Sequence, residues 1–260
     1  MIEVQGLSKI YSNGLRALAP TSLSFNAKEF CVLLGSSGAG KSTLLRSLNF
    51  LNTPSQGSIE VKGVGTLDDK RKISAHRRQT GFIFQQHQLI ERYSALQNAL
   101  LGRLCHHSFW RGLYPFCQHD IDIALSSLDR VGVLDKAMAK VSQLSGGQRQ
   151  RVGIARALAQ EPKVMLADEP VASLDPSSAH NVLSLLRDIC REKNICLIVS
   201  LHQLELAVTF ADRIIGLVSG RVIFDGPPHD LDSSKIQAIY GGHQLFGNET
   251  NTKTQISMAA

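Results

Sequence analysis

The segment Gly35-Ser36-Ser37-Gly38-Ala39-Gly40-Lys41-Ser42 follows a wholly apolar pentad, Phe30 to Leu34, and runs directly into a helix-like stretch, STLLRSLNFL. It fits G-x-x-x-x-G-K-[ST] in the setting where that pattern has a mechanism, between a buried strand and a helix. The glycines let the backbone wrap an anion, so that successive N–H groups and the helix N-terminus converge on a phosphate. Lys41 is placed to bridge the β- and γ-phosphates, and the Ser42 hydroxyl to ligate Mg²⁺.

The rest of the chain is arranged around that loop. Asn13-Gly14 is a strong hairpin signal, and the alternating residues on either side predict two antiparallel strands in the first 25 residues, the start of a β-subdomain. Pro54 and Gly57 are expected to close the helix after the loop. From about 87 to 160 the periodicity becomes helical, with Ala95, Leu96, Ala99 and Leu100 on one face and Ile123, Leu125, Leu128, Val131 and Leu134 further on. This is a candidate helical subdomain. Beyond Pro162, the short apolar runs VMLA, ICLIVS and RIIGLV, with a helical stretch from about 177 to 192, read as a parallel α/β sheet. From about Gly242 the sequence turns polar and aperiodic, and 244–260 is expected to form a tail.

Two further sites carry chemistry. Val164 to Ala167 ends in Asp168-Glu169-Pro170, which puts two carboxylates at the carboxyl edge of a parallel strand. Asp168 suits a role behind Mg²⁺, and Glu169 one in orienting and deprotonating an attacking water. Alone, such a pair is most often a solvated strand end; the phosphate loop in the same chain changes that balance. Leu144-Ser145-Gly146-Gly147-Gln148 then opens a second helix, with Ser145 as N-cap and glycine N–H groups available to an anion. Taken alone, such a segment is more often an ordinary capped helix.

Composition narrows the rest. Lys and Arg outnumber Asp and Glu 28 to 22, a net charge of +6, which suggests an anionic partner without choosing among phosphate ligand, nucleic acid and membrane. No apolar run approaches the roughly 18 residues of a spanning helix. The N-terminus has no basic segment followed by an apolar one, so a cytosolic chain is expected. The 5 cysteines, Cys31, Cys105, Cys117, Cys190 and Cys196, contain no C-x-x-C pair, which argues against disulfides and zinc and for reduced, mostly buried thiols. The sequon at Asn248 is discarded on the same compartment argument.

Leu144 to Gln148 resembles the signature sequence of ABC-transporter ATPases, and the other motifs of that family fall in order around it. These are the phosphate loop at 35–42, Gln85 after Gly81-Phe82-Ile83-Phe84, Asp168-Glu169, Ser173-Leu174-Asp175 and His202. The resemblance covers nearly all of the chain except the tail. It implies an α/β fold with a RecA-like P-loop core, an antiparallel β-subdomain and an inserted helical subdomain, spanning 1–243. It further implies ATP and Mg as cofactors and a head-to-tail homodimer.

By position, the ATP-binding set is Tyr11, stacking on adenine, with Gly35, Ser36, Ser37, Gly38, Ala39, Gly40, Lys41, Ser42 and Thr43. The catalytic set is Glu169, His202 as the γ-phosphate switch, and Gln85. Ser42, Gln85 and Asp168 would serve Mg. Ser145, Gly146, Gly147, Gln148 and Asp175 would reach the nucleotide of the other copy. For Tyr11 the plain alternative is a strand residue, and for Asp175 an N-cap ahead of Pro176.

Ala167 to Pro176, Ser200-Leu201-His202-Gln203 and Leu101-Gly102-Arg103 resemble the phosphonate-import branch, as does the aromatic segment with Phe109, Trp110, Tyr114 and Phe116. Those aromatics either contact a permease or pack within the subdomain. Ser36 departs from the branch, which commonly has Pro there, at a free position of the loop.

The implied function is a peripheral ATPase on the cytoplasmic face of the inner membrane. It would drive phosphonate or phosphite uptake through separate permease subunits fed by a solute-binding protein. Rival readings are an importer ATPase for another solute such as phosphate or an amino acid, a non-transport ABC protein acting on nucleic acid or ribosomes, and a nucleotide-binding module without turnover. The length leaves no room for the fused domains or coiled coils usual in the non-transport class, so no nucleic-acid partner is expected. On this reading the cluster Lys70, Arg71, Lys72, Arg77 and Arg78 faces lipid headgroups or solvent.

Overall fold

The computed structural model describes residues 1–86, 88–107 and 116–245. Strands β1 (Ile2–Ile10) and β2 (Arg16–Phe25) pair antiparallel across the Asn13-Gly14 turn, as the alternation predicts. Two strands that the sequence reading did not mark, β4 (Gln56–Val61) and β5 (Gly65–Thr66), complete a four-stranded sheet of order β2-β1-β4-β5.

The second sheet positions the site. Its strands are β3 (Phe30–Leu34), β6 (Thr80–Ile83), β7 (Val164–Asp168), β8 (Cys196–Leu201), β9 (Arg213–Val218) and β10 (Arg221–Gly226), in the order β10-β9-β3-β8-β7-β6. All neighbours are parallel except the β9/β10 hairpin. β3, β7 and β8 are buried along their whole length, as expected where both faces are covered.

Helix α1 (Lys41–Leu48) starts on the phosphate loop and ends at Asn49, earlier than Pro54 and Gly57 suggest, because Phe50 takes a left-handed φ of 53° that turns the chain out. Helix α2 (Lys70–Arg78) carries the basic cluster. Part of its charge is structural: Arg77 donates to the carbonyls of Asn49 (3.1 Å) and Phe50 (2.7 Å), tying down the end of α1, and Lys72 pairs with Asp68 at 2.8 Å.

The helical subdomain holds α3 (Ala95–Leu100), α4 (Gln118–Arg130) and α5 (Gly146–Ala159), which pack on one another. Its apolar face includes Ala95, Ala99, Ala124, Leu128 and Val131, whereas Leu134 is exposed. Phe116 packs on this core, its ring edge-on to His107 at 6.0 Å; Phe109, Trp110 and Tyr114 lie outside the described residues.

The Leu101-Gly102-Arg103 step has a packing reason. A Cβ on Gly102 would lie 2.2 Å from the Arg156 carbonyl oxygen of α5. Arg103, 4% exposed, donates to Asp120 (3.0 Å), Glu161 (2.7 Å) and the Ala159 carbonyl (2.8 Å). Burial alone would raise the Asp120 carboxyl, but hydrogen bonds from Cys117, Arg103 and His107 hold it well below the usual carboxylate range. The stabilisation this provides is therefore present at neutral pH and lost only under strong acid. Gly102→Ala should destabilise the chain by about 1–3 kcal/mol through overpacking, read as a lower denaturation midpoint at unchanged slope.

Helix α6 (Pro176–Glu192) joins β7 to β8, and α7 (Leu204–Phe210) joins β8 to β9. The final helix, α8 (Ser233–Leu245), runs past the Gly242 at which the polar stretch was expected to begin, and 246–260 lie outside the described residues. Cys31, Cys190 and Cys196 are buried, and burial pushes their thiols up, leaving them protonated and unreactive; Cys117 is exposed. Among the described residues, no helix is long and apolar enough to cross a membrane.

Candidate nucleotide site

Four neighbouring parallel strands of the core sheet deliver one functional segment each at their carboxyl ends, where open α/β sheets form crevices. β3 leads into the phosphate loop, β8 into His202, β7 into Asp168-Glu169 and β6 towards Gln85. The register aligns them: Leu34 pairs with Leu201, and Asp168 with Ser200.

Two of the loop's glycines are required by close approach of neighbouring backbone. A Cβ on Gly35 would lie 2.4 Å from the Leu217 carbonyl oxygen, and Gly40, at φ 103°, would place one 2.6 Å from that of Ala17. No side chain caps α1, whereas α5 and α6 are both capped, so the first N–H groups of α1 are left to an incoming anion. Lys41, 3% exposed, spans the loop mouth with its ammonium on the carbonyls of Gly35 (2.8 Å) and Ser36 (2.9 Å) and 3.2 Å from His202 Nδ1. Burial pulls its pKa below the ordinary lysine value, against the pull of Glu169 and Asp168.

Opposite lies an acid-histidine relay. Asp168, 1% exposed, accepts from Ser42 Oγ (2.7 Å), Ser200 Oγ (3.1 Å) and Arg46 (3.1 Å). Ser200 Oγ in turn accepts the Glu169 backbone N–H at 2.9 Å. Glu169 sits at φ 49°, left-handed for a non-glycine residue, a strained conformation of the kind that clusters at functional sites. That turn aims its carboxylate at two partners: Gln85 Nε2 donates to Oε2 at 2.8 Å, and His202 Nε2 donates to Oε1. With Nε2 on this carboxylate, the other ring nitrogen, Nδ1, faces the Lys41 ammonium at 3.2 Å.

Tyr11, Leu15 and Ala17 from the β-subdomain, residues 37–43 of the loop and α1, and Gln85, Glu169 and His202 line one cavity of about 390 Å³. The Tyr11 hydroxyl accepts from Asn52 at 3.1 Å and lies 3.4 Å from Thr43 Oγ1.

The residues expected to act on a second copy lie outside this cavity. Ser145 caps α5 in a reciprocal box with Gln148, at 3.3 and 2.9 Å, and Gly146 and Gly147 form the first turn behind it. Asp175 caps α6 by accepting the Ser178 N–H at 3.0 Å, and hydrogen bonds from the Ser178 side chain and then its backbone lower the Asp175 pKa. In the single chain both segments are thus helix starts.

Sequence reasoning missed Arg46, Ser200 and Asn52. Arg46 was within reach of it, one helical turn after Ser42 on the same face. Ser200, a lone hydroxyl in an apolar strand two residues before His202, carried a faint signal, and Asn52 carried none.

A lysine phosphate loop after β3 and a paired-acid end on β7, two parallel strands separated by β8 alone, define a P-loop nucleotide-binding cassette. The model of the ABC transporter family matches residues 18–172. The chain is 55% identical to a phosphonates import ATP-binding protein of Nostoc sp. over 93% of its length and 92% of the relative's. It is also 55% identical to a phosphite import ATP-binding protein of Stutzerimonas stutzeri, over 93% and 88%. Among solved structures, a dimeric post-hydrolysis ATP-binding cassette bound to ADP and Pi superposes with a TM-score of 0.78 at 32% identity, covering 88% of this chain and 99% of that one. The chain therefore belongs to the ABC transporter family, as one of its ATPase cassettes.

Proposed function

We propose that this chain is the ATP-hydrolysing subunit of an importer for phosphonate or phosphite, acting as a homodimer on the cytoplasmic face of a separate membrane permease. The observation that carries the enzymatic part is the convergence of Lys41, Ser42, Glu169, Gln85 and His202 on one cavity at the carboxyl ends of neighbouring strands, with Asp168 buried behind Ser42. The names of the relatives support the solute class, and the dimeric state of the solved neighbour supports the assembly.

In this reading Tyr11 stacks on adenine, and residues 35–43 cradle the phosphates with backbone N–H groups and the Lys41 ammonium. Glu169 accepts the proton of the attacking water, steadied by Gln85, and His202 faces the γ-phosphate. Ser145 to Gln148 and Asp175 close on the nucleotide of the partner copy.

The donor set fits Mg²⁺, a hard cation held by few protein oxygens together with substrate phosphates. Ser42 lines the cavity with the Asp168 carboxylate directly behind its hydroxyl at 2.7 Å, and among the described residues no group of three or more His, Cys, Asp and Glu would favour a softer metal. Ser42, Asp168 and the Gln85 carbonyl would hold the ion, which neutralises charge on the β- and γ-phosphates when bound.

Deleting the gene should abolish growth on a phosphonate or phosphite as sole phosphorus source and leave growth on inorganic phosphate intact. Normal growth on both reduced phosphorus sources, with failure on another nutrient, would reassign the solute.

A further inference from the structure

From the contact between the C-terminal helix and the loop after β8, we infer that Tyr240 is a positioning residue for His202 and gives α8 a lever on ATP turnover. The inference rests on the reading of His202 as the γ-phosphate switch. The Tyr240 hydroxyl donates to the His202 backbone carbonyl at 2.7 Å, joining residues far apart in the chain.

That carbonyl needs an outside partner. His202 lies in the short turn between β8 and α7, and the first helical bond of α7 runs from the Ala207 N–H to Gln203 O at 3.1 Å, passing His202 by. A carbonyl stranded at such a turn is normally satisfied by water or a side chain. Here the side chain comes from α8. The histidine is thus held at two points: its ring by Glu169 and Lys41, and its main chain by Tyr240.

The helix supplying the hydroxyl is itself anchored. Ile239, 1% exposed, fills the space over Gly216 of β9, where a Cβ would lie 2.6 Å from its Cδ1. Asp232 accepts the Lys235 N–H at 2.9 Å near the helix start, and Lys235 lies over the Phe224 ring of β10 at 5.5 Å. With Ile239 locked against the sheet, its neighbour Tyr240 has a fixed approach to the turn. Partial burial raises the phenol pKa, so the hydroxyl remains a donor throughout the working pH range.

The ring of His202 can hold its geometry towards Glu169 and Lys41 only if its backbone stays in place. Loss of the tether should therefore affect turnover rather than nucleotide affinity. The test is a double-mutant cycle on Mg-ATP hydrolysis by the full-length chain. Tyr240→Phe should lower kcat about fivefold, the scale of one neutral hydrogen bond, with KM for ATP unchanged. In a His202→Ala background the same change should have no further effect. Equal losses in both backgrounds, or a loss confined to KM, would overturn the inference. Full turnover by His202→Ala alone would overturn the reading of His202 beneath it.

Discussion

Glu169→Gln should lower phosphate release from Mg-ATP by at least about a hundredfold while leaving nucleotide binding intact, because it removes a positioned base and keeps its shape. The site shows why so much depends on one carboxylate. Glu169 is held in a left-handed turn by the Ser200 hydroxyl and takes hydrogen bonds from Gln85 and His202, so its oxygens point into the cavity. Glutamine occupies the same volume but cannot accept the proton of water. The variant should accumulate as an ATP-bound dimer, visible as an earlier elution in size exclusion with Mg-ATP than without. Unchanged turnover would remove Glu169 from the base role.

Lys41→Met should weaken ATP binding by roughly ten- to a hundredfold, the scale of one charge-assisted hydrogen bond at about 1.5–3 kcal/mol. The same change should leave the nucleotide-free chain no less stable. Burial depresses the Lys41 pKa, so between the folded and unfolded values the unfolded chain binds more protons and stability rises with pH. A charged Lys41 is thus a cost to the empty fold that a polyphosphate offsets. Calorimetric titration should show the lost affinity, and thermal melts should show that the ATP-induced rise in Tm disappears while the ligand-free Tm holds. A large fall in the ligand-free Tm, with affinity preserved, would mean that Lys41 acts as a structural residue.

The sequence is informative where chemistry is local and opaque where it depends on folding. The phosphate loop, Asp168-Glu169 and the Ser145 cap are each set by a few consecutive residues whose backbone conformation performs the function, and each lies where its motif predicts. Strands β6 and β10 escape a periodicity reading, since β6 has 4 residues and the apolar run Val222-Ile223-Phe224 of β10 is too short to alternate or to read as a buried strand. Helix α8 passes through Gly241-Gly242, residues that ordinarily end a helix, because Ile239 and Tyr240 anchor it on the core; tertiary packing overrides propensity there. Arg46, Ser200, Asn52 and Tyr240 gain their roles only once distant strands and helices meet. The trans set is different again: Ser145 and Asp175 satisfy their own helices in the single chain, and the assembly alone can give them a second task.

The most direct test of the account is uptake of a labelled phosphonate into proteoliposomes holding this chain, its permease and the solute-binding protein, with Mg-ATP on the cassette side. The account predicts uptake that requires ATP, is abolished by Glu169→Gln, and is competed by phosphonate or phosphite more strongly than by inorganic phosphate or amino acids. ATP hydrolysis that proceeds without phosphonate uptake, or uptake that survives Glu169→Gln, would contradict it.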